Sequence, residues 1–220
     1  ITSKRQIEDW NAHTLSLGQP GWEQTVRDDS DALDDMDLDE FVAADWLMAA
    51  NIYRATLTQP ELWPEWVHAP FRAWTSWKQE HEYMDWTDLL ERAIERRAML
   101  LGDPLAMFVD EAQDLDRLML RLLNQWAEGM RTLVLVGDPD QNLFEWRGSD
   151  PQIMYQDEAA HRVLSQSYRV PIEVHAAAVR WIERTPGRRP IEYLPKDEIG
   201  HVEYDDSLRL GRPDQLIERA

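Results

Sequence analysis

Two short apolar runs dominate the pattern of hydrophobic and polar positions along the chain. Residues 105–109 and 132–136 are apolar almost throughout, and each run gives way abruptly to acidic and amide residues. Such continuous runs are typical of buried parallel strands. Residues 115–129, between them, repeat apolar side chains at helical spacing, namely Leu118, Leu122, Leu123 and Trp126. The pattern predicts an α/β protein with a right-handed β-α-β unit and chemistry at the carboxyl edge of its sheet.

Three stretches before this unit carry helical patterns. Residues 2–17 and 38–53 repeat apolar side chains three or four positions apart. Residues 71–81 do the same with aromatic side chains, namely Phe71, Trp74, Trp77 and His81. An aromatic helix face can stack on single-stranded bases, but most aromatic side chains fill cores. The pattern therefore favours core packing for this face.

Proline and glycine set further boundaries. Residues 59–70 contain three prolines, which predict a packed loop or short helical turns rather than a long helix. A helix over residues 88–101 is expected to stop at Gly102. Residues 172–184 predict a helix with five apolar side chains facing inward, namely Val174, Ala177, Ala178, Trp181 and Ile182. Residues 201–204 have the composition of a late strand.

Composition places the chain among folded proteins. It has 220 residues, 43% of them hydrophobic, and 11 Trp, which is enough to build a sizeable core. The absence of Cys excludes disulfides and Cys-based zinc or redox sites. No apolar run reaches the length of a membrane span. We expect no membrane partner and a cytoplasmic location, associated with the nucleoid if the source is prokaryotic.

The net charge of −19 argues against a uniformly DNA-binding surface, because Lys and Arg supply most non-specific affinity for phosphates. Charge is unevenly distributed, however. Residues 162–220 are balanced, and 20 of the 23 basic residues are Arg, which suits bidentate contacts with phosphate. A DNA track would therefore have to be local.

The segment Asp28 to Glu40 carries eight carboxylates and no basic residue. Its spacing partly fits a calcium loop, but Leu33 occupies a position that needs an oxygen ligand, and Asp34 replaces the turn glycine. A capping pattern that opens the next helix fits residues 37–40 better. The segment is also a candidate surface for a basic protein partner.

The pair Asp110-Glu111 is the centre of the predicted chemistry. In phosphoryl-transfer ATPases, an aspartate at the end of a buried strand holds Mg²⁺, and a neighbouring carboxylate activates the attacking water. Gln113 and Gln141 follow the two strands and are suited to sense a γ-phosphate through amide hydrogen bonds. The alternative is a solvated loop over residues 110–114 that caps the following helix.

Four segments in order resemble motifs of superfamily 1 DNA helicases of the UvrD/Rep type. Residues 109–114, Val-Asp-Glu-Ala-Gln-Asp, resemble their Walker B motif, and residues 136–150 resemble their third motif. Residues 164–169, Leu-Ser-Gln-Ser-Tyr-Arg, are similar to their fourth motif, and residues 84–90 to the acidic-aromatic segment before Walker B. The resemblance implies a RecA-like motor core with an inserted helical subdomain, which would use ATP and Mg²⁺ to move 3′ to 5′ along DNA in repair or recombination.

The resemblance implies a catalytic role for four residues. Asp110 would hold Mg²⁺, and Glu111 would act as the base for water. Gln141 would sense phosphate, and Arg169 would approach the γ-phosphate from a second RecA-like half. The alternative for Arg169 is a surface Arg paired with a nearby acid.

The same resemblance implies contacts with nucleotide and DNA. Gln113 and Asp114 would contact ATP. Trp146, then Phe144, would stack on bases of single-stranded DNA or of single-strand/duplex junctions, with Arg147 beside them. A buried Trp that anchors the loop is the alternative for Trp146.

A departure from the family is the missing phosphate-binding loop. That loop needs Gly-Lys-Ser/Thr, whereas none of the three lysines, Lys4, Lys78 and Lys196, follows a glycine. The chain alone is therefore expected to be inactive, and the simplest interpretation is an internal fragment of a helicase. Its expected parts are a helical inserted subdomain with the lead-in to the motor (1–104), a motor core (105–160) and the start of a second RecA-like domain (161–220).

Other interpretations stay open on the sequence alone. The chain could be a complete, degenerate helicase-like protein that binds DNA or a repair protein without hydrolysing ATP. It could also belong to a helicase-nuclease of the RecB/AddA type, whose nuclease residues would lie elsewhere. An unrelated strand-loop ATPase would require the matches to the third and fourth motifs to be accidental.

Overall fold

The computed structural model describes residues 4–24, 45–155, 161–185 and 188–203. The chain divides into two compact units, Ile1–Met154 and Tyr155–Ala220. In the described residues the first unit combines five α-helices with a two-stranded sheet, and the second contains one α-helix and another two-stranded sheet. Both sheets are parallel, as the predicted α/β class requires. Within these residues no helix is both long and apolar enough to cross a bilayer.

Four tryptophans form the main core of the first unit. They lie on helices α1 (Lys4–Ser16), α2 (Trp46–Ala55) and α3 (Glu65–Glu80). The core residues are Trp10, Trp46, Leu47, Trp74 and Trp77, all nearly inaccessible to solvent. The rings of Trp10 and Trp74 meet edge to face with centroids 5.0 Å apart, which is a favoured geometry for aromatic pairs. The aromatic face of residues 71–81 therefore packs in a core at Trp74 and Trp77, as predicted.

Helix α3 corrects the prediction of a loop over residues 59–70. The helix begins at Glu65 and runs through Pro70, which is fully buried. A proline at this position removes one backbone hydrogen bond, but its ring adds apolar area on the buried face. Only residues 60–62 form the predicted short turn. The predicted helix start at residues 37–40 lies outside the described residues. Helix α2 begins at Trp46 and is capped by Asp45, whose side chain accepts hydrogen bonds from the Leu47 and Met48 amides.

Helix α4 (Trp86–Glu95) ends six residues before the predicted end. The cause is a left-handed turn at Arg97, whose φ is 48°. The Arg97 amide donates to Ile94 O at 3.1 Å and the Ala98 amide to Ala93 O at 2.8 Å. These two bonds form a Schellman motif, in which the left-handed position is usually a glycine. An arginine there gives no sequence signal of termination.

The predicted β-α-β unit is confirmed. Strand β1 (Ala106–Val109) pairs in parallel with β2 (Thr132–Leu135), in the register Ala106 to Thr132 and Val109 to Leu135. Helix α5 (Arg117–Ala127) connects them and buries Leu118 and Leu122. Gln125 and Trp126 donate to Ala98 O at 3.3 and 2.9 Å, so the end of α5 is fixed to the turn after α4.

The two apolar runs of this unit, residues 105–109 and 132–136, are less buried than the sequence predicts. Phe108 is 73% exposed, Leu105 63% and Val136 43%. Only alternate residues of β1 are even partly buried. Strand β2 is half-buried at Leu133, Val134 and Leu135 and exposed at Thr132.

The second unit contains strand β3 (Gln166–Pro171), helix α6 (Ile172–Ile182) and strand β4 (Leu194–Lys196). The late strand is therefore at Leu194–Lys196, and the prediction of a strand over residues 201–204 is wrong for the described residues 201–203. Strands β3 and β4 are parallel. The predicted inward face of α6 is also wrong, because no residue of this helix is buried. Val174, Ala178 and Trp181 are exposed, Trp181 by 69%. Periodicity shows a face but not what covers it.

Candidate active site at the edge of the first sheet

A tight turn at the end of β1 presents two carboxylates. Asp110 follows the strand, and its Oδ1 accepts a hydrogen bond from the Glu111 amide at 3.0 Å. Glu111 has a φ of 52°, a left-handed conformation that is rare outside glycine and asparagine. Both side chains are exposed, while Ala112 and Gln113, which follow, are buried. The chain therefore turns sharply so that Asp110 and Glu111 face solvent at the sheet edge.

Gln113 connects this turn with the turn that follows β2. Its Nε2 donates to Glu111 Oε2 at 2.7 Å, and its Oε1 accepts from the Asp138 amide at 3.0 Å. The Asn142 side-chain amide donates to Gln113 O at 2.5 Å. Gln113 is only 1% exposed. Both ends of its amide have protein partners, and its predicted contact with nucleotide stays a prediction.

Gly137 is required for this connection. A Cβ at Gly137 would lie 2.3 Å from Gln113 Oε1 and 3.0 Å from the amide nitrogens of Ala112 and Gln113. The two turns thus approach more closely than any side chain would allow. The Ala112 amide also donates to Val136 O at 2.8 Å, which continues the pairing of the strands into the turns.

Gln141 lies on the same turn after β2. Its Nε2 donates to Asp138 Oδ2 at 2.7 Å, and Asp138 Oδ1 accepts from the Asp140 amide. A chain of hydrogen bonds therefore runs from Glu111 through Gln113 and Asp138 to Gln141. The structure thus brings together the sequence-predicted residues Glu111, Gln113 and Gln141 through Asp138, which the sequence analysis did not single out.

Asp114 lies close to Glu111 and differs from it in environment. Its Oδ1 is buried and accepts no hydrogen bond from the described residues. Burial and the negative charge of Glu111 raise the pKa of the Asp114 carboxyl above its ordinary value. This carboxyl is therefore easier to protonate than an exposed aspartate.

The arrangement is compatible with Mg²⁺ held through Asp110. Mg²⁺ prefers oxygen ligands and usually keeps several waters or phosphate oxygens in its octahedral shell. Asp110 is exposed at the strand end, and its Oδ2 takes no part in the bond to the Glu111 amide. Among the described residues no group of three acidic or histidine side chains is arranged to hold a metal. A metal here would thus depend on one protein carboxylate together with water and phosphate.

The loop after this turn carries the predicted DNA-binding residues. Asn142 ties the loop together, because its side chain bonds Ser149 Oγ at 2.9 Å and accepts from the Phe144 amide at 2.9 Å. The guanidinium of Arg147 lies 5.6 Å from the ring centroids of both Phe144 and Trp146. Phe144 is 38% exposed and Trp146 partly buried. The loop thus presents an aromatic-cation cluster that is only partly accessible.

The far end of this loop packs on helix α2. Gly148 has a φ of 96°, and a Cβ there would lie 3.2 Å from Thr56 and 3.3 Å from Ala55. Ser149 forms an antiparallel bridge with Asp116, which also caps α5 through the Met119 amide at 2.7 Å. Burial raises the pKa of Asp116, although its cap bonds and the charge of Arg147 oppose that change. The loop is therefore attached to both the helices and the sheet.

Arg169 belongs to the second unit and lies on β3. Its backbone amide donates to Ser167 Oγ at 3.3 Å, and its side chain is exposed, as is the neighbouring Tyr168. It is the one residue of the predicted catalytic set that lies outside the first unit.

A buried ion network joins helices α2, α3 and α4, and the sequence analysis missed both of its cations. Arg54 donates to Asp85 at 3.2 Å, to Asp88 at 2.7 Å and to Glu91 at 2.7 Å. Lys78 donates to Asp85 at 2.7 Å and to Asp88 at 2.5 Å. The residues Trp46, Ala50 and Arg54 recur at spacings of four on the buried side of α2. A cation at a position where the helical spacing places buried residues is the sequence signal that could have indicated a buried ion pair.

This network explains the acidic-aromatic segment of residues 84–90. Asp85 caps α4 and forms a capping box with Asp88. Burial favours the neutral acid, yet the charges of Arg54 and Lys78 hold the pKa of the Asp85 carboxyl below its usual value. Burial alone would lower the pKa of Arg54, but its bond to Glu91 and the three acidic charges raise it. In this structure the two aspartates serve the packing of the helices.

Comparison with known proteins supports the motif resemblance. Residues 66–162 match the family described as the UvrD/REP helicase N-terminal domain. The ATP-dependent DNA helicase PcrA of Bacillus subtilis is 36% identical over 97 residues, which are 42% of this chain and 13% of that protein. PcrA of Staphylococcus epidermidis is 30% identical over 122 residues, 50% of this chain and 17% of the relative.

A shorter match involves the Gabija protein GajB of Bacillus cereus. It is 32% identical over 66 residues, 30% of this chain and 13% of that protein. The matched regions thus span less than a fifth of the length of these three relatives. The candidate site of the first unit lies inside the segment that matches the family.

Proposed function

We propose that this chain, whose residues 66–162 carry a UvrD/REP-type helicase N-terminal domain, is part of an enzyme that couples ATP hydrolysis to movement along single-stranded DNA. The observation that carries the proposal is the hydrogen-bonded edge formed by Glu111, Gln113 and Asp138. It places an exposed carboxylate beside a turn whose following loop presents aromatic rings and an arginine. The finer expectations, 3′-to-5′ polarity and duplex unwinding, follow the resemblance to UvrD and Rep helicases.

The proposal gives each site residue a distinct task. Asp110 would hold Mg²⁺, which neutralises charge on the phosphates when bound with ATP. Glu111 would accept the proton of the attacking water, since it is exposed and its carboxylate is oriented by Gln113. Gln141 would contact the γ-phosphate, and Arg169 would stabilise the charge that develops during transfer.

The remaining residues would bind nucleotide and DNA. Asp114 would lie near the nucleotide. Gln113, the second nucleotide contact predicted from the sequence, has both ends of its side-chain amide bonded to protein groups, and we propose no ATP contact for it. Trp146 and Phe144 would stack on bases, and Arg147, already placed on both rings, would contribute a cation near the DNA backbone. Stacking of this kind contributes about 1–3 kcal/mol per base and tolerates any sequence.

Hydrolysis also needs a phosphate-binding loop, which the 220 residues do not contain. The chain by itself should therefore not turn over ATP. The division of the protein proposed from the sequence, into a helical inserted subdomain (1–104), a motor core (105–160) and the start of a second motor domain (161–220), would place the missing loop on another segment. The corresponding assay uses the longest product of the gene.

The decisive experiment compares ATP hydrolysis, with and without single-stranded DNA, for the wild type, Glu111→Gln and Glu128→Gln. Glu128 is an exposed glutamate that ends α5 and lies outside the site. We expect DNA-dependent hydrolysis that Glu111→Gln abolishes and Glu128→Gln preserves. Hydrolysis that survives in Glu111→Gln would disprove the base role. A longest gene product of 25.9 kDa with no hydrolysis would instead favour a degenerate protein that binds DNA or a repair protein.

A further inference from the structure

We infer that Gln113 is a positioning residue, which holds the Glu111 carboxylate in one orientation and ties it to the turn that begins the DNA-facing loop. The inference rests on the proposed function for the role of Glu111 as a base. It gives Gln113 a task other than contact with the nucleotide. The inference is based on the geometry of the turns after β1 and β2.

The side chain of Gln113 is placed as a buried link rather than as a ligand. It is 1% exposed, and its amide donates to Glu111 Oε2 at 2.7 Å while accepting from the Asp138 amide at 3.0 Å. A glutamine is required for this geometry, because the same side chain must donate to a carboxylate and accept from a backbone amide. A glutamate or a methionine of similar size would lose one or both bonds.

The bond to Glu111 leaves the second carboxylate oxygen available. Gln113 contacts Oε2 alone, so Oε1 can face a water molecule at the exposed edge of the sheet. Glu111 is also held in a left-handed backbone conformation, with φ at 52°. An exposed glutamate on an unusual backbone turn would otherwise sample several rotamers, and a fixed orientation favours proton transfer.

The link continues toward the loop that carries Phe144, Trp146 and Arg147. Asn142 donates to Gln113 O at 2.5 Å and also bonds Ser149. Gly137 permits the close approach, because a Cβ there would lie 2.3 Å from Gln113 Oε1. A displacement of this loop would therefore pull on Gln113 and change the orientation of Glu111.

The first test is steady-state hydrolysis of ATP by the longest gene product carrying Gln113→Met. We expect kcat to fall about 100-fold, the usual effect of misplacing a reacting group by about 1 Å, with KM for ATP within twofold of the wild type. The matched control is Gln125→Met, since Gln125 also donates to backbone carbonyls, those of Ala93 and Ala98. It should lower the melting temperature and leave kcat within twofold.

The second test changes Gly137, the residue that packs against Gln113 Oε1. Gly137→Ala should displace Gln113 Oε1 and lower kcat in the same way, whereas Gly21→Ala, where a Cβ meets no described atom within 4 Å, should not. Because both substitutions break one link, the double variant Gln113→Met with Gly137→Ala should lose no more than about the larger single effect. If the two substitutions lowered kcat by independent factors that multiply in the double variant, the proposed link between Gln113 and Gly137 would be disproved.

A third measurement does not depend on activity. Hydrogen exchange at the Asp138 amide, measured in the 220-residue chain, should become about tenfold faster in Gln113→Met, the effect of losing one hydrogen bond, and stay unchanged in Gln125→Met. Unchanged exchange in Gln113→Met would show that Gln113 does not hold the Asp138 amide.

A kcat unaffected by Gln113→Met, in an enzyme that Glu111→Gln inactivates, would overturn the positioning role while leaving the proposed function intact. A wild type without hydrolysis would overturn the proposed function and the base role of Glu111, and the exchange data would then decide the link alone.

Discussion

In the first unit the helices bury apolar and charged side chains, whereas the sheet leaves large apolar side chains exposed to solvent. The helical region, residues 4–24 and 45–95, encloses four tryptophans and a buried network of Arg54, Lys78 and three acids. The sheet region, residues 105–154, leaves Phe108 and Leu105 more than half exposed. Its order comes from hydrogen bonds between turns, such as those of Gln113 and Asn142.

This difference predicts that stability and the proposed chemistry depend on separate parts of the first unit. A buried ion network and a tryptophan core resist change, because removing one partner leaves desolvated charge or an empty volume. Exposed carboxylates at the end of a strand contribute little to folding and are free to act on a ligand. We therefore expect substitutions in the helical region to affect unfolding and substitutions in the sheet region to affect activity or association.

The largest effect on stability is expected for Arg54→Met. The substitution removes the cation that three acidic side chains share, and breaking such a buried pair costs about 3–5 kcal/mol. Arg72→Met is the matched control, because Arg72 is 61% exposed and pairs with Glu65 at 3.4 Å; its loss should be below about 1 kcal/mol. Chemical denaturation measures both free energies of unfolding. Equal losses of unfolding free energy in the two variants would show that the buried network contributes no more to stability than an exposed ion pair.

Acid should weaken the helical region through Asp85. Because its folded pKa lies below the ordinary value of 3.8, its contribution is complete above that value and is lost as the pH falls through the folded pKa. Each unit of pKa difference corresponds to about 1.4 kcal/mol. Melting temperature measured from pH 7 to pH 2 should therefore drop below about pH 4, and less steeply in Asp85→Asn. An identical acid slope in that variant would contradict the assignment.

A smaller, stabilising effect is expected for Arg97→Gly at the junction between the two regions. Arg97 ends α4 with φ at 48°, and a glycine adopts this conformation without the steric cost, which we expect to add about 1 kcal/mol or less. Arg96→Gly is the control, since Arg96 has φ at −82° and should lose stability. Thermal unfolding of the two variants should shift in opposite directions.

The smallest effect on unfolding is expected for Phe108→Thr in the sheet. Phe108 is 73% exposed on β1, so the free energy of unfolding should change by less than about 0.5 kcal/mol. Exposed apolar strands promote association between chains, and we expect the variant to reduce self-association seen by sedimentation. Leu62→Thr, at a 71% exposed residue of the helical region, should leave association unchanged. A wild type that sediments as a monomer and melts cooperatively would contradict this prediction.

Local patterns predicted much of the fold and part of the site. The β-α-β unit, the burial of Trp74 and Trp77 and the meeting of Asp110 with Glu111 follow from apolar runs, helical spacing and adjacent positions in the chain. The end of α4, the helix through Pro70 and the strand Leu194–Lys196 were not predictable in this way. Each depends on contacts between distant residues or on a backbone conformation that the residue type does not indicate.

Apolar runs followed directly by carboxylates and amides were enough to predict which polar residues meet, because the carboxyl ends of parallel strands lie at one edge of a sheet. The folded structure was needed to see how these residues are connected. It showed that Gln113 is buried between Glu111 and Asp138, that Gly137 makes room for it, and that Arg54 and Lys78 neutralise Asp85. These contacts join residues that lie up to 31 positions apart, and such pairings depend on packing rather than on any local pattern.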